Sequence, residues 1–332
     1  MRIDSTRPLP GRAELPVSPE QVTIAVEGWN AADLKSQELF ETSLRSLLGQ
    51  TFPLRRCEIL VIVDAALDPA QTSWIRGLLP EAHLLRLSGA TYYRSKNLAL
   101  ESTRGDYLVF SDSDVVYEPQ WLETMLAAFR PGVQLVVGNT RYEPGFLSRT
   151  LSLCDWSATQ PASGFTDWFY GNNMAVSRTL FESFRFREDI GRSGGGSINV
   201  LRSELTRRRI YPWFCLDAKG WHHLESFWPK RIRIGAYSTH YRQMAPQTPW
   251  AWLVRVPLLA PFLIVAGTLL KAWGRAWRLR AGLPGRGLSL PLYLATISGV
   301  KVVELIGSLM ITWAPGWVNH QYGWFNVPPS DK

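Results

Sequence analysis

Apolar runs alternate with stretches whose apolar positions recur at helical spacing, and this alternation organises the chain from about residue 20 onward. Val22–Val26 is a short β-branched run. Phe40, Leu44, Leu47 and Leu48 recur at i, i+4, i+7 and i+8, which predicts a helix stopping at Gly49. Ile59–Val63 is a fully apolar strand ending at Asp64. A helix then precedes a strand at His83–Leu87, and another carries Leu98 and Leu100 toward Gly105. The strand Tyr107–Phe110 follows. Pro119 is expected in the first turn of the next helix, where its missing N–H costs nothing, and Leu122, Met125, Leu126 and Phe129 form that helix's buried face. Val133–Val137 is a further strand. Continuous apolar strands separated by helices predict an α/β fold with a mainly parallel sheet flanked by helices. Residues 1–20, rich in Pro, Arg and Glu and without periodicity, read as a flexible leader. No internal repeat stands out.

Beyond about Tyr237 the pattern changes. Val256–Leu270 is an uncharged run of fifteen residues between Arg255 and Lys271, shorter than the roughly twenty apolar residues that cross a bilayer. Trp250, Trp252, Trp273 and Trp277 flank it as interfacial anchors would. Leu288–Trp313 is long enough to span but is interrupted by Lys301 and Glu304, which can neutralise each other at i, i+3. Charge separates the same region. The chain has 332 residues and a net charge of +8, yet Ser226–Val303 holds eleven Lys or Arg and no Asp or Glu. Ten of the fifteen tryptophans also lie from Trp213 onward. Basic charge interleaved with tryptophan and apolar runs points to an anionic membrane surface and away from nucleic acid. A cytosolic sheet domain and a cytosolic basic loop at 271–286 are incompatible with a single crossing by the first run. That run is therefore expected to be re-entrant or in-plane; the second either spans or is a buried helix. Cys57, Cys154 and Cys215 have neither metal nor disulfide spacing, and the first residues lack the apolar core of a secretory signal.

Candidate chemistry starts at Tyr107-Leu-Val-Phe-Ser-Asp112-Ser-Asp114. A buried strand that stops at Asp-x-Asp delivers two carboxylates to the rim of a sheet, where open α/β sheets bind ligands. Such a pair suits a hard divalent cation, Mg²⁺ or Mn²⁺, and a substrate diphosphate. Asp-x-Asp also fills turns and caps helices, so context decides. Asp64, at its own strand end, either accepts hydrogen bonds from a nucleotide base or caps the helix that follows.

In order and spacing these motifs resemble those of a family 2 glycosyltransferase with the GT-A fold, over about residues 20–240. Val26-Glu27-Gly28-Trp29-Asn30 resembles the family's first strand and loop. Ser46-Leu-Leu-Gly-Gln50-Thr-Phe-Pro53 is similar to its first helix end, and Glu58–Asp64 to the strand whose Asp contacts the base. Arg94-Ser-Lys96-Asn97-Leu-Ala departs from the family's pattern, with Lys96 for Arg and Ala99 for Gly. Arg104–Asp114 resembles the metal motif, and Gly171-Asn172-Asn173-Met174-Ala-Val-Ser-Arg178 the donor-sugar motif. The resemblance implies a metal site at Asp114 and, through water, Asp112. It implies donor contacts at Glu27, Asn30, Asp64, Arg94, Lys96, Asn97, Asp112 and Asn172. Of Trp221-His222-His223, where the family often carries a metal- or phosphate-binding His, His223 is the expected ligand.

One departure is large. The family's Glu-Asp base pair falls on Gly196 and Ser197, neither of which titrates near neutral pH. Asp189 upstream and Glu204 on the following helix are the substitutes, with Asp217 as a further candidate. Trp168 either stacks on a sugar or is core. Tyr241-Arg-Gln-Met-Ala-Pro stands where processive synthases carry Gln-x-x-Arg-Trp, so a single transfer is expected. The implied protein has a GT-A domain at 21–240 and a basic, Trp-rich, membrane-associated helical region at 241–332. It is expected at the cytoplasmic face of the cell membrane, as an inverting enzyme using a nucleotide-diphospho-sugar, a divalent metal and a hydroxyl acceptor that is lipid-linked or membrane-proximal. The alternative is a non-catalytic nucleotide-binding protein of a glycan assembly complex.

Overall fold

The computed structural model describes residues 17–28, 34–89, 91–155, 160–190, 196–224, 227–245, 248, 250–280 and 289–322. The first half runs β1 (Val22–Glu27), α1 (Leu34–Leu48), β2 (Glu58–Asp64), α2 (Pro69–Leu78), β3 (His83–Leu87), α3 (Tyr92–Ser102) and β4 (Tyr107–Asp112). Next come β5 (Val115–Tyr117), α4 (Trp121–Ala127), β6 (Leu135–Tyr142), α5 (Phe146–Asp155), β7 (Gly164–Phe165), β8 (Asn173–Ser177) and α6 (Arg178–Phe181). The chain continues through α7 (Gly196–Arg207), β9 (Trp213–His222), α8 (Phe227–Met244), α9 (Ala260–Arg278), α10 (Ser289–Trp313) and α11 (Pro315–Tyr322).

The nine strands form one sheet in the order β3-β2-β1-β4-β8-β6-β9-β5, with β7 alongside β9. β3, β2, β1 and β4 are mutually parallel. β8 inserts antiparallel between β4 and β6, while β9 pairs parallel with β6. All six residues of β1 are buried, as a continuous apolar run predicts for a sheet covered on both faces. Successive residues serve opposite faces. Ile24, Val26 and Val109 join one core with Phe40, Leu44 and Trp121; Ala25, Leu108 and Phe110 join the other with Tyr93, Phe184 and Phe214. Pro119 lies one residue outside the cap of α4, which begins at Trp121 after Gln120.

Val17 is 2% exposed and part of the core, and residue 240 lies inside α8. Ala272, Ala276, Tyr293, Ile297 and Val300, from α9 and α10, share a core with Phe110 and Met174 of the sheet. α8 and α10 cross so closely that a Cβ on Gly235 or Gly307 would overlap the facing backbone. The two interrupting charges of α10 face this interface. Lys301 Nζ lies 2.6 Å from Glu304, and Glu304 also meets Arg231 of α8, which is paired through both nitrogens with Asp155 at the end of α5.

Candidate active site

The parallel strands β1, β2 and β4 end side by side, which gathers Glu27, Asp64 and Asp112 along one edge of the sheet. Glu27 and Asp112 are direct neighbours in register. Between them rises Lys96 of α3, fully buried, whose ammonium donates to Glu27, to Asp112 Oδ1 at 3.2 Å and to the carbonyl of Gly171 at 2.7 Å. The ammonium also lies 4.3 Å from the centre of the Tyr92 ring. Lys96, a donor contact by resemblance, thus ties β1, β4 and the Gly171 loop together through its N–H groups. Burial pushes the Glu27 carboxyl well above the usual carboxylate range; Lys96 opposes that shift and Asp112 adds to it. Glu27 Oε2 is buried with no hydrogen-bond partner.

The Gly-Asn-Asn motif divides its labour. Gly171 is required by close approach, since a Cβ would stand 2.5 Å from the Tyr92 hydroxyl and 2.7 Å from Lys96 Cε. Asn172 is buried at the site, where its side-chain oxygen accepts from Thr140 at 3.4 Å and its carbonyl from the Tyr117 hydroxyl at 2.8 Å. Asn173 faces away and accepts the Trp121 indole N–H at 2.7 Å.

Asp114 follows in the turn to β5. Because β5 pairs with the end of β9, His222 comes opposite Val115, and its Nε2 lies 3.3 Å from Asp114 Oδ2. His222 Nδ1 sits 2.7 Å from the carbonyl of His223, to which an Nδ1–H donates, and Nε2 is the ring nitrogen turned toward the Asp114 carboxylate. A ring nitrogen and a carboxylate oxygen this close could share a divalent cation, and an Nδ1–H held by a carbonyl is the usual orientation of a metal-ligating His. The expected ligand, His223, turns its Nδ1 to Glu143 at 3.8 Å, and its backbone N–H donates to the Asp114 carbonyl at 2.9 Å. Leu39, Thr42, Asp114, Val116, Glu143, Trp221 and His223 line a cleft of about 270 Å³ here. Among the described residues no three His, Cys, Asp or Glu side chains close into a full metal cage. Asp114 with His222, beside Asp112, is the donor set that fits a divalent cation.

The other expected residues lie as follows. Asp64 accepts the Ala66 N–H at 2.9 Å, and Asp68 rather than Asp64 receives the N–H at the start of α2. Arg94 donates to the Ser88 carbonyl at 2.9 Å. Asn97 is a brace: its amide exchanges hydrogen bonds with the Phe186 backbone and donates to Glu188 at 2.8 Å. Asp189 is gripped through both oxygens by Arg187, whose hydrogen bonds and charge hold its carboxyl below the usual range. Arg187 also feels the charge of Glu204 on α7, so the two base candidates share one neighbourhood. Asn30 lies outside the described residues. Arg202 covers the Trp168 ring at 4.2 Å.

Known proteins are similar to this chain in sequence and in fold. Residues 34–173 match the family model for glycosyl transferase family 2, a stretch that includes Asp64, Lys96, Asp112, Asp114 and Asn172. The chain is 29% identical over 168 residues to the succinoglycan biosynthesis protein ExoM of Rhizobium meliloti (strain 1021). That match covers 48% of this chain and spans about half, 54%, of the relative. The solved structure of mannosyltransferase PcManGT from Pyrobaculum calidifontis, in complex with GDP-Man and Mn²⁺, superposes with a TM-score of 0.58 over 91% of both chains at 16% identity. That likeness is one of fold. Residues 34–173 are thus similar to glycosyl transferase family 2, within a chain whose fold is GT-A-like.

Proposed function

We propose that this protein is an inverting glycosyltransferase that moves one sugar from a nucleotide-diphospho-sugar to a hydroxyl acceptor, lipid-linked or membrane-proximal, at the cytoplasmic face of the membrane. The observation that carries this reading is the juxtaposition of Asp112 and Asp114, at the carboxyl end of β4, with His222 from β9. Asp114 and His222 would hold Mg²⁺ or Mn²⁺, with Asp112 beside them. Bound there, the cation supplies Lewis-acid neutralisation of the departing nucleoside diphosphate.

The remaining work falls to side chains. Asp64 accepts N–H groups of the nucleotide base. Lys96 fixes Asp112 and the Gly171 loop, and so holds Asn172 toward the donor sugar. A carboxylate of the 188–204 region takes the proton of the acceptor hydroxyl as it attacks. Asp189 and Glu204 are the two candidates. Asp189's clamp by Arg187 keeps it ionised but makes it the weaker base.

One observation favours the second reading, a non-catalytic nucleotide-binding protein. Gly196 and Ser197 stand where the base pair belongs, and the buried Ser197 hydroxyl has no partner. A panel of nucleotide sugars, with Mn²⁺ or EDTA and membrane lipid extract as acceptor, separates the two. Turnover of one donor that needs metal and vanishes in Asp114→Ala supports the enzyme. Metal-dependent binding without turnover supports the second reading, and no binding of any donor refutes both. In the same assay His222→Ala weakens Mn²⁺ dependence by about tenfold or more, while His223→Ala leaves it within about twofold.

A further inference from the structure

The 3-10 turn Ala251–Arg255, the residues after it and α9 are apolar on a side that nothing among the described residues covers. Leu258 is 72% exposed, Leu270 64% and Trp252 63%, and Leu259, Phe262 and Trp277 are exposed with them. The helix cannot roll these residues inward, because its other side is already engaged. Ala260 and Ile264 pack with Leu253, and Ala272 and Ala276 enter the main core. Gly267 lies against the Trp250 ring so closely that a Cβ would overlap it. Arg275 is buried and donates to the carbonyls of Leu153 and Cys154 at 2.6 and 2.9 Å. Exposed cations accompany the apolar face: Arg255, Lys271, Arg278 and Arg280. No acid occurs between Ser226 and Val303.

We propose that this face docks in the plane of an anionic lipid bilayer, with α9 at the boundary between headgroups and acyl chains. Exposed Leu, Phe and Trp on a helix of 19 residues, about 28 Å long, enter the acyl region while Lys and Arg meet the headgroups. A second copy of this chain fits the face poorly, since a two-fold pairing sets basic residues against basic residues. Insertion across the bilayer fits poorly too. α10 is the one helix among the described residues long and apolar enough to cross. Its Lys301 and Glu304 are 4% and 2% exposed and reach through Arg231 to Asp155 of the sheet domain. A bilayer centred on α10 would have to take in that network and α5, at a large desolvation cost. The docking deepens the membrane-proximal acceptor proposed above, but its test needs no turnover.

The test is flotation of the full chain with vesicles of phosphatidylcholine alone, or of phosphatidylcholine mixed equally with phosphatidylglycerol, together with alkaline carbonate extraction of native membranes. Three results support docking in the plane: capture by the anionic vesicles that weakens with salt, release by carbonate, and at least a tenfold loss of capture in Leu258→Glu/Leu270→Glu. The urea midpoint of that variant should equal the wild type's, since both side chains are exposed, and Arg278→Glu/Arg280→Glu gives an independent loss. Absence of capture, or equal capture of the apolar variant, overturns the proposal. Resistance to carbonate also overturns it in favour of a span, as does a concentration-dependent dimer that Leu258→Glu breaks, in favour of a second copy. Donor hydrolysis measured without vesicles reports on the catalytic reading separately.

Discussion

Replacing Lys96 by Met keeps the length and the apolar stem of the side chain but removes the only cation hydrogen-bonded to Glu27 and Asp112 among the described residues. Breaking a buried ion pair from one side costs about 3–5 kcal/mol, against a total stability of about 5–15 kcal/mol for a folded domain. Here the loss depends on pH, with a sign the structure fixes. Burial already raises the Glu27 carboxyl well above its ordinary value, and Lys96 is the neighbour that most opposes the shift. Without Lys96 the native state keeps Glu27 protonated to still higher pH, while the unfolded chain releases that proton near the ordinary value of about 4.3. A raised folded-state value gives stability that is complete below the unfolded value and is lost as pH rises. In that window the slope is about −1.4 kcal/mol per pH unit. Wild type and variant share that slope up to the wild type's own raised value, so the gap between them should widen only above it, where the wild type releases the Glu27 proton and the variant does not. Urea denaturation from about pH 5 to pH 8 measures it, with Lys96→Met/Glu27→Gln as the decisive partner. The double variant removes one of the two opposed carboxylates and should recover at least half of the loss at pH 8. A gap below about 1 kcal/mol at pH 8, a gap that narrows as pH rises, or no recovery in the double variant would refute the argument.

Three further outcomes follow from the geometry. Arg231→Met leaves Asp155 buried without its bidentate partner and should cost about 3–5 kcal/mol, read as a lowered urea midpoint. Burial alone would raise Asp155, but Arg231 and the Tyr142 hydroxyl bring it down to about 2. The pair thus contributes stability above the ordinary value of about 3.9 and loses it as pH falls toward 2, so Asp155→Asn should flatten acid unfolding in that window. Trp121→Phe strips the indole N–H from Asn173 inside the core and should cost about 1–3 kcal/mol, more than the change in apolar area accounts for. Arg187→Ala frees Asp189 from the group that lowers it; if Asp189 is the base, the acid limb of the kcat profile moves to higher pH, and if Glu204 is the base, Glu204→Gln abolishes turnover while Asp189→Asn does not.

How much of this site was legible follows from which interactions are local. The β4 run, its terminal carboxylates, the buried faces of α1 and α4 and the Gly-Asn-Asn loop all rest on period-2 or period-3.6 patterning or on neighbours in sequence. The role of Lys96 does not. Its partners Glu27 and Gly171 lie 69 and 75 positions away, and only the sheet order that puts β1 beside β4 brings them together. His222 was nearer to hand. From Asp217 to the end of β9 the even positions Ala218, Gly220 and His222 are the buried ones, and the small residues at 218 and 220 mark that parity, so strand alternation turns His222 inward. For Asn97 the sequence offered a motif position but no sign that a backbone at Phe186 would occupy its amide.

The C-terminal helices show the same division with a consequence for membrane topology. Hydropathy sees α10 as a span interrupted by a self-neutralising pair, and the 2.6 Å contact between Lys301 and Glu304 confirms the pairing. What hydropathy cannot see is that Glu304 also faces Arg231, and that Arg231 faces Asp155. Two anions and two cations linked in one buried chain hold α10 against α8 and α5. An isolated pair at bilayer depth would only have to cancel its own charge. A pair built into a network with the sheet domain must stay where that domain stays. Lys301 and Glu304 therefore mark the side of α10 that belongs to protein, which leaves the apolar outer face of α9, with its flanking cations, as the surface proposed to meet a bilayer.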